Sequence, residues 1–547
     1  MFALVKTIVI SASVLLAYAG SAHAGTISPL RLLEVADLTG PVISPDGGSV
    51  AFRLEQASVV RNTFDVFWYV QAMDGTSPPH RVADGGVLLH DSAGVSVPGH
   101  AVWSPDGRWI YYRALVDGEM SVCRAAVDGS GAGPVTHDPA DVRDFALSDN
   151  GKTLKYSVGA TRAAAIAAEQ AEYDRGIHID DTVPVGQGGL FRSGNIDGRL
   201  ETQRFPSGRE GWERIQLLAE VPDQWKAIDL DTGKTRDLPS SERPPQPLTV
   251  SDLSRALPKP EELAVDPDTG RLAVLTRTGN GKGLMRKPDV ELAMLPKAGS
   301  TRPIKCQAEL CTGKAISAIQ WRPRSDEVLF TVTDRHEGLA QSIYRWNVRT
   351  GAVHPVAQSA GMLNGGGRYQ HGGCGASSEA MVCVVAKADR PPRLERIDLA
   401  RDGRQVLFDP NAALALDMAK ATPSRLIRWT DAKGQEFTGQ FFPARRTGDG
   451  PSPLFVNYYA CWGFLRGGLG DEWPFASLAD DGISALCINS APYRLDAIER
   501  YGLGLSAVKS AVDLLASKGE IDRTKVGMGG LSFGTEVTLW TVMKSDL

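Results

Sequence analysis

No stretch of the 547-residue sequence reaches the ~20 consecutive apolar residues that a membrane-spanning helix needs. There is no C-x-x-C pair and there are no histidines at ligand spacing, which argues against a zinc site; no metal and no cofactor is expected. Basic residues are not in excess: 59 Lys and Arg stand against 64 Asp and Glu, a net charge of −5, so no nucleic-acid partner is expected. Hydrophobic residues are not scarce either. At 42% they exclude a disordered chain.

What is present begins with a targeting segment. Lys6 supplies a positive n-region, Thr7 to Gly20 an apolar h-region and Ala22-His23-Ala24 a cleavage site. Residues 1–24 are therefore read as a signal peptide and the mature protein as periplasmic or secreted. The h-region is too short for a membrane anchor, and no cysteine follows it to carry lipid. Seven cysteines suit that location. Cys306 with Cys311, and Cys374 with Cys383, could each close a small loop or hairpin. Cys123, Cys461 and Cys487 remain, the last two in apolar, strand-like contexts that suggest buried small hydrophobes.

The length calls for two domains. After cleavage, Pro29 to Leu38 reads as a short helix with Leu30, Leu33 and Leu38 on one face. A turn unit then recurs. Ile43-Ser44-Pro45-Asp46-Gly47 precedes a strand, as does Trp103-Ser104-Pro105-Asp106-Gly107, with weaker copies at Leu147 to Gly151, Val265 to Asp268 and Trp321 to Arg324. Proline presets one dihedral of such a turn and glycine accepts a positive one. A second element, an alternating strand closed by Asp-Gly or a looser variant, ends at Gly75, Gly129, Gly233, Gly299, Gly351 and Gly403. The steps between them are 54, 104, 66, 52 and 52 residues, the second about twice the others. Strand-turn repeats of this period predict a β-propeller of about seven blades over residues 25–415, with a β-sandwich array as the alternative. Within the long step, Ala160 to Asp174 reads as a helix and Gly186 to Glu210 as a polar, glycine-rich excursion projecting from a blade.

From about residue 416 the pattern changes. Arg425 to Thr430 and Phe437 to Phe442 form a predicted hairpin around Asp431 to Gly434. Leu454 to Tyr459 and Gly482 to Asn489 read as buried strands, with the start of a helix at Trp473 to Leu478. Leu505, Val508, Val512 and Leu515 mark a helix stopped at Gly519. Strands alternating with helices predict a parallel sheet covered on both faces. The stretch KVGMGGLSFG, Lys525 to Gly534, carries the chemistry. A short apolar strand, Val526 to Met528, runs into Gly530-Leu531-Ser532-Phe533-Gly534, and a helical run follows from Thr535. This G-x-S-x-G pattern is a nucleophile elbow, a tight strand-to-helix turn that lifts one serine hydroxyl above a sheet. The helix N-terminus beneath it favours developing negative charge.

A propeller, then the Asp431 to Gly434 hairpin, then Tyr458-Tyr459-Ala460, then the elbow: this order of parts resembles the prolyl oligopeptidase family of serine peptidases. Three further stretches are similar to the lasso-peptide isopeptidases of that family. They are Leu32 to Leu38 continued into Ile43 to Gly47, Val456 to Cys461, and Phe464 to Gly468. Members of that branch open a threaded peptide by hydrolysing the amide between its N-terminal amine and an Asp or Glu side chain. The resemblance implies a threaded lasso peptide as substrate and Ser532 as nucleophile. It also implies an oxyanion site made by the Phe533 backbone N–H and the Tyr459 hydroxyl. Arg466 is a candidate partner for a substrate carboxylate, with a surface salt bridge as the alternative.

The family's triad continues from Ser to an acid and then a His. In this sequence His371 is the last histidine, and Asp546, on the helix leaving the elbow, is the last carboxylate. Residues 416–547 are therefore expected to be the N-terminal part of a truncated α/β-hydrolase domain whose elbow strand has an open edge. A general oligopeptidase or dipeptidyl peptidase on the same scaffold, and a silent propeller that only binds peptide, are the alternatives.

Overall fold

A computed structural model describes residues 27–90, 95–176, 192–196, 199–202, 217–253, 257–278, 289–368, 372–401, 403–421, 423–445, 450–467, 473–491, 494 and 496–547. The expected signal peptide and most of the excursion at 186–210 lie outside the described residues. The helix expected over Pro29 to Leu38 is shorter than its leucine spacing suggests. It spans Pro29–Leu33, capped by Ser28, whose Oγ accepts from the Arg31 N–H at 3.3 Å. From Ala36 to Ile43 the chain is instead a strand, with Leu38 opposite Leu54 of Ser49–Ser58. Burial in a sheet overrides the helical spacing here: Leu38 is buried, whereas Leu30 and Leu33 stay exposed.

Antiparallel sheets then succeed one another in chain order over residues 36–84, 101–134, 140–237, 260–358 and 362–408. The sheet over 260–358 has eight strands and is two four-strand units joined where Val290 and Glu291 meet Lys314 and Thr312. The described residues thus supply six such units. The long step from Gly129 to Gly233 is explained by the third. Its strands Thr153–Thr161 and Gln224–Asp229 pair directly, Thr153 opposite Asp229, so the helix Arg162–Arg175 and the residues after it are an insertion between two neighbours. The first strand also touches the last unit, where the Gly40 N–H donates to the Gly365 carbonyl at 3.0 Å.

The Ser-Pro-Asp-Gly turns are built alike. Ser44 Oγ donates to Asp46 Oδ1 at 2.6 Å and accepts from the Ser49 N–H at 2.9 Å. Ser104, Asp106 and Trp109 repeat the pattern at 2.6 and 2.9 Å. The weaker copy uses Ser148, Asn150 and Thr153 at 2.7 and 3.0 Å. Gly47 and Gly107 take φ of 77° and 68°, open to glycine at little cost. A recurring turn therefore reflects a recurring hydrogen-bond set.

A further helix, Ala412–Ala421, spans the expected domain boundary. Beyond it lie β1 (Arg425–Thr430), β2 (Glu436–Phe442), β3 (Ser452–Tyr459), α1 (Phe475–Asp480), β4 (Ser484–Asn489), α2 (Ala497–Ser517), β5 (Ile521–Met528) and α3 (Phe533–Lys544). The sheet order is β1-β2-β4-β3-β5. β4 and β5 run parallel to β3, while β2 is antiparallel to both β1 and β4, so the sheet is mixed rather than wholly parallel. Its two faces follow the two-residue period of strands. Leu454, Val456, Leu486 and Ile488 pack against Val508, Val512 and Leu515 of α2 and Val537 of α3. Ala485 and Cys487 point the other way, into a cluster with Phe475 and Ala479 of α1 and Leu32 and Leu38 of the N-terminal segment. β5 pairs with β3 on one side and, among the described residues, with no strand on the other.

Candidate active site

The sheet positions the elbow by carrying β5 beside β3 until the turn. The Gly529 N–H still donates to the Val456 carbonyl at 3.2 Å, and Asn457 Nδ2 donates to the Gly529 carbonyl at 3.2 Å. The chain then reverses sharply. Ser532 has φ 49° and ψ −120°, a conformation that a non-glycine residue adopts only where its surroundings force it. The flanking glycines explain how. A Cβ on Gly530 would lie 2.3 Å from the carbonyl carbon of Gly534, so nothing larger fits where the strand enters beneath the helix. Thr535 Oγ1 closes the turn by donating to the Gly530 carbonyl at 2.6 Å.

The result is an exposed serine at the start of α3. Among the described residues no side chain hydrogen-bonds its hydroxyl, and the Phe533 N–H, one of the free donors of the first helical turn, has no partner. The Phe533 ring lies 6.2 Å from the ring of Tyr459, and both line a cavity of about 500 Å³. The cavity sits on the seam between the start of β2, the ends of β3 and β4, and the loop 335–339 of the preceding antiparallel region. Arg335 and His336 line it from the loop, and Glu436 and Arg500 line it from the hydrolase side. His336 Nδ1 is 3.1 Å from Glu436 Oε2 across the seam, both side chains being exposed.

Tyr458 and Tyr459 differ in setting. Tyr458 is buried, which pushes its hydroxyl up to about 12, and its oxygen accepts from the Ala491 N–H at 2.9 Å. Tyr459 is half-buried at the strand end, beside the elbow. Arg466 is not at the cavity. It is buried and paired with Asp37, and it also donates to the Val35 carbonyl at 3.3 Å, so it anchors the N-terminal strand to the hydrolase domain. The candidate role toward a substrate carboxylate is therefore corrected, because burial and this ion pair occupy the guanidinium.

Cys306–Cys311 and Cys374–Cys383 are disulfides. So is Cys461–Cys487, where the apolar contexts in the sequence suggest two buried small hydrophobes. Cys461 follows the end of β3 and Cys487 lies within the neighbouring β4, 26 residues away in sequence, and no sequence pattern links them. It ties the turn after Tyr459 to β4. Cys123 is the free, buried cysteine. Among the described residues no cluster of His, Cys, Asp and Glu is arranged to hold a metal ion, and no helix is long and apolar enough to cross a membrane.

A serine forced into the elbow conformation, on a sheet of this order behind a series of antiparallel sheets, defines a serine hydrolase of the α/β type. The comparisons narrow the class. The chain is similar to serine peptidases of the prolyl oligopeptidase family, lasso peptide isopeptidase among them. It is 25% identical to the lasso peptide isopeptidase AtxE2 of Asticcacaulis excentricus over 97% of its length and 74% of that protein's. It is 26% identical to the dipeptidyl-peptidase 5 of Porphyromonas endodontalis, but over only 25% of this chain and 18% of that one. The structure of a variant of the AtxE2 isopeptidase with Astexin3 bound matches at a TM-score of 0.71 and 23% identity, covering 95% of this chain and 77% of that one. An acylaminoacyl peptidase in complex with a chloromethyl ketone matches at 0.61 and 15%, with the same coverage. No family model matches. The similarity makes the chain an enzyme of serine-peptidase type.

Proposed function

We propose that this enzyme hydrolyses the isopeptide bond of a threaded lasso peptide, releasing the linear form, with Ser532 as nucleophile. The observation that carries the reading is the φ 49°, ψ −120° conformation of Ser532 beside the cavity lined by Tyr459 and Phe533. Ser532 Oγ attacks the amide carbonyl. The Phe533 N–H and the Tyr459 hydroxyl receive the oxyanion, and the intermediate collapses with loss of the peptide's N-terminal amine. Water then releases the Asp or Glu side-chain carboxylate. Arg500 and Glu436, which line the cavity, are the side chains this reading assigns to the acid and the amine of the products. The antiparallel units act as blades of one propeller of about seven over residues 25–415, residues 416–547 carry the elbow, and residues 1–24 direct the protein to the periplasm or beyond.

The test is substrate choice. The full-length enzyme, with Ser532→Ala as control, is incubated with a threaded lasso peptide and with short linear peptides. A product one water heavier, formed only from the lasso and only with Ser532 intact, supports the reading. Cleavage of linear peptides alone would move the enzyme to the general oligopeptidases.

A further inference from the structure

A directed chain of hydrogen bonds runs from the cavity loop to the turn after Tyr459. The Arg335 carbonyl, at the start of loop 335–339, accepts from Thr438 Oγ1 at 3.2 Å. Thr438 Oγ1 accepts from Asn489 Nδ2 at 3.2 Å. Asn489 Oδ1 accepts from the Cys461 N–H at 2.9 Å. The Thr438 hydroxyl donates at one end and accepts at the other, and the Asn489 amide does the same through Nδ2 and Oδ1, so every bond points the same way along the chain. Turning the Asn489 amide over would set its NH₂ against the Cys461 N–H, so both neighbours fix it. Thr438 and Asn489 are buried at 7% and 9% exposure, where water does not readily replace a lost partner.

The loop is itself seated on the hydrolase hairpin. Arg428 Nε donates to the His336 carbonyl at 2.9 Å, and Arg428 pairs with Glu337. A Cβ on Gly338 would come within 2.5 Å of Leu426 Cδ1. The same loop presents Arg335 and His336 to the cavity, so a peptide pressing on it acts on Thr438. The Cys461–Cys487 disulfide holds the side chain of Cys461 but not its N–H, which Asn489 holds.

We propose that Thr438 and Asn489 are positioning residues that set the Tyr459–Cys461 turn according to the seat of loop 335–339. A peptide lodged against the loop thereby aligns the Tyr459 hydroxyl with the elbow. The proposal rests on Tyr459 being an oxyanion donor. Neither residue of the relay is catalytic in itself.

Hydrogen exchange of the full-length protein tests it without turnover. Thr438→Val keeps the volume and removes the hydroxyl, leaving the buried Asn489 NH₂ without its acceptor and Asn489 held only through the Cys461 N–H. Backbone exchange at residues 459–462 should then accelerate about tenfold, in a protein whose circular dichroism is unchanged, and Thr438→Ser should restore it. If the valine variant does not fold, Thr438→Ala removes the same hydroxyl without crowding. Unchanged exchange at 459–462 in a folded variant lacking the hydroxyl would overturn the relay, as would equal acceleration in Thr438→Ser. With lasso substrate, the hydroxyl-free variant should lower kcat and leave KM unchanged. A failed relay shows in exchange, whereas a failed isopeptidase reading shows as intact lasso peptide, so the two are told apart.

Discussion

Gly530 faces the backbone of Gly534 so closely that a single added methyl would stand 2.3 Å from its carbonyl carbon. The two glycines thus make the turn in which Ser532 is held at φ 49°. Gly530→Ala should force strand and helix apart and cost about 1–3 kcal/mol. Thermal melting reads the loss. A variant as stable as the parent, with Ser532 chemistry intact, would mean that the turn is not tight.

The two adjacent tyrosines should separate cleanly. Tyr459→Phe removes the proposed oxyanion donor and should lower kcat about 10²–10³-fold with little change in melting temperature. Tyr458→Phe leaves the Ala491 N–H without its acceptor in a buried site. It should cost about 1–3 kcal/mol of stability instead. Steady-state kinetics and melts on both variants distinguish the roles, and a kinetic loss confined to Tyr458→Phe would reverse the assignment.

Much of this was legible from the chain. The Ser-Pro-Asp-Gly turns, the hairpin at Asp431 to Gly434, the insertion helix and the elbow all depend on local spacing, and local chemistry builds them as expected. The misses are relations that only the sheet creates. Leu38 joins a strand because Leu54 faces it, not because of its distance from Leu33. Cys461 and Cys487 meet because β3 and β4 are neighbours, and Arg466 finds Asp37 across 429 residues of sequence. Thr438 and Asn489 end up in one relay for the same reason. A polar residue closing an apolar strand, as Asn489 does, was the one local sign.

The Cys461–Cys487 bridge closes a separation of 26 residues and should contribute about 3 kcal/mol by restricting the unfolded chain. Cys487→Ala should lower stability by about that amount under oxidising conditions. Reductant should bring the parent protein down toward the variant. Peptide mapping that finds Cys461 unlinked in the oxidised protein would contradict this.

An ion pair with one buried partner is costly to break on one side. Arg466→Met leaves the half-buried Asp37 without its guanidinium and should destabilise the fold by about 1–3 kcal/mol. Adding Asp37→Asn to it should recover part of that loss. Equal denaturation midpoints for parent and Arg466→Met would show that the pair does not anchor the N-terminal strand.

The repeated turns predict an acid response. Ser104 Oγ, together with Arg108, holds the Asp106 carboxyl at about 2, below its usual 3.8, and Ser44 and the Gly48 N–H lower Asp46 in the same sense. A carboxyl with a depressed folded pKa stabilises the fold above its unfolded value, and the contribution is lost as pH falls through the folded one. Melting temperature should therefore drop between 3.8 and about 2. The double variant Ser44→Ala with Ser104→Ala should show a shallower drop. An identical profile in parent and variant would remove these turns as the cause.

The central claim is that Ser532 is the reacting group, and an active-site phosphonate tests it directly. After labelling of the full-length enzyme and tryptic cleavage at Lys525 and Lys544, the account predicts the adduct on the Val526–Lys544 peptide, absent from Ser532→Ala. A folded enzyme that opens lasso peptide yet carries the adduct on another residue would contradict it.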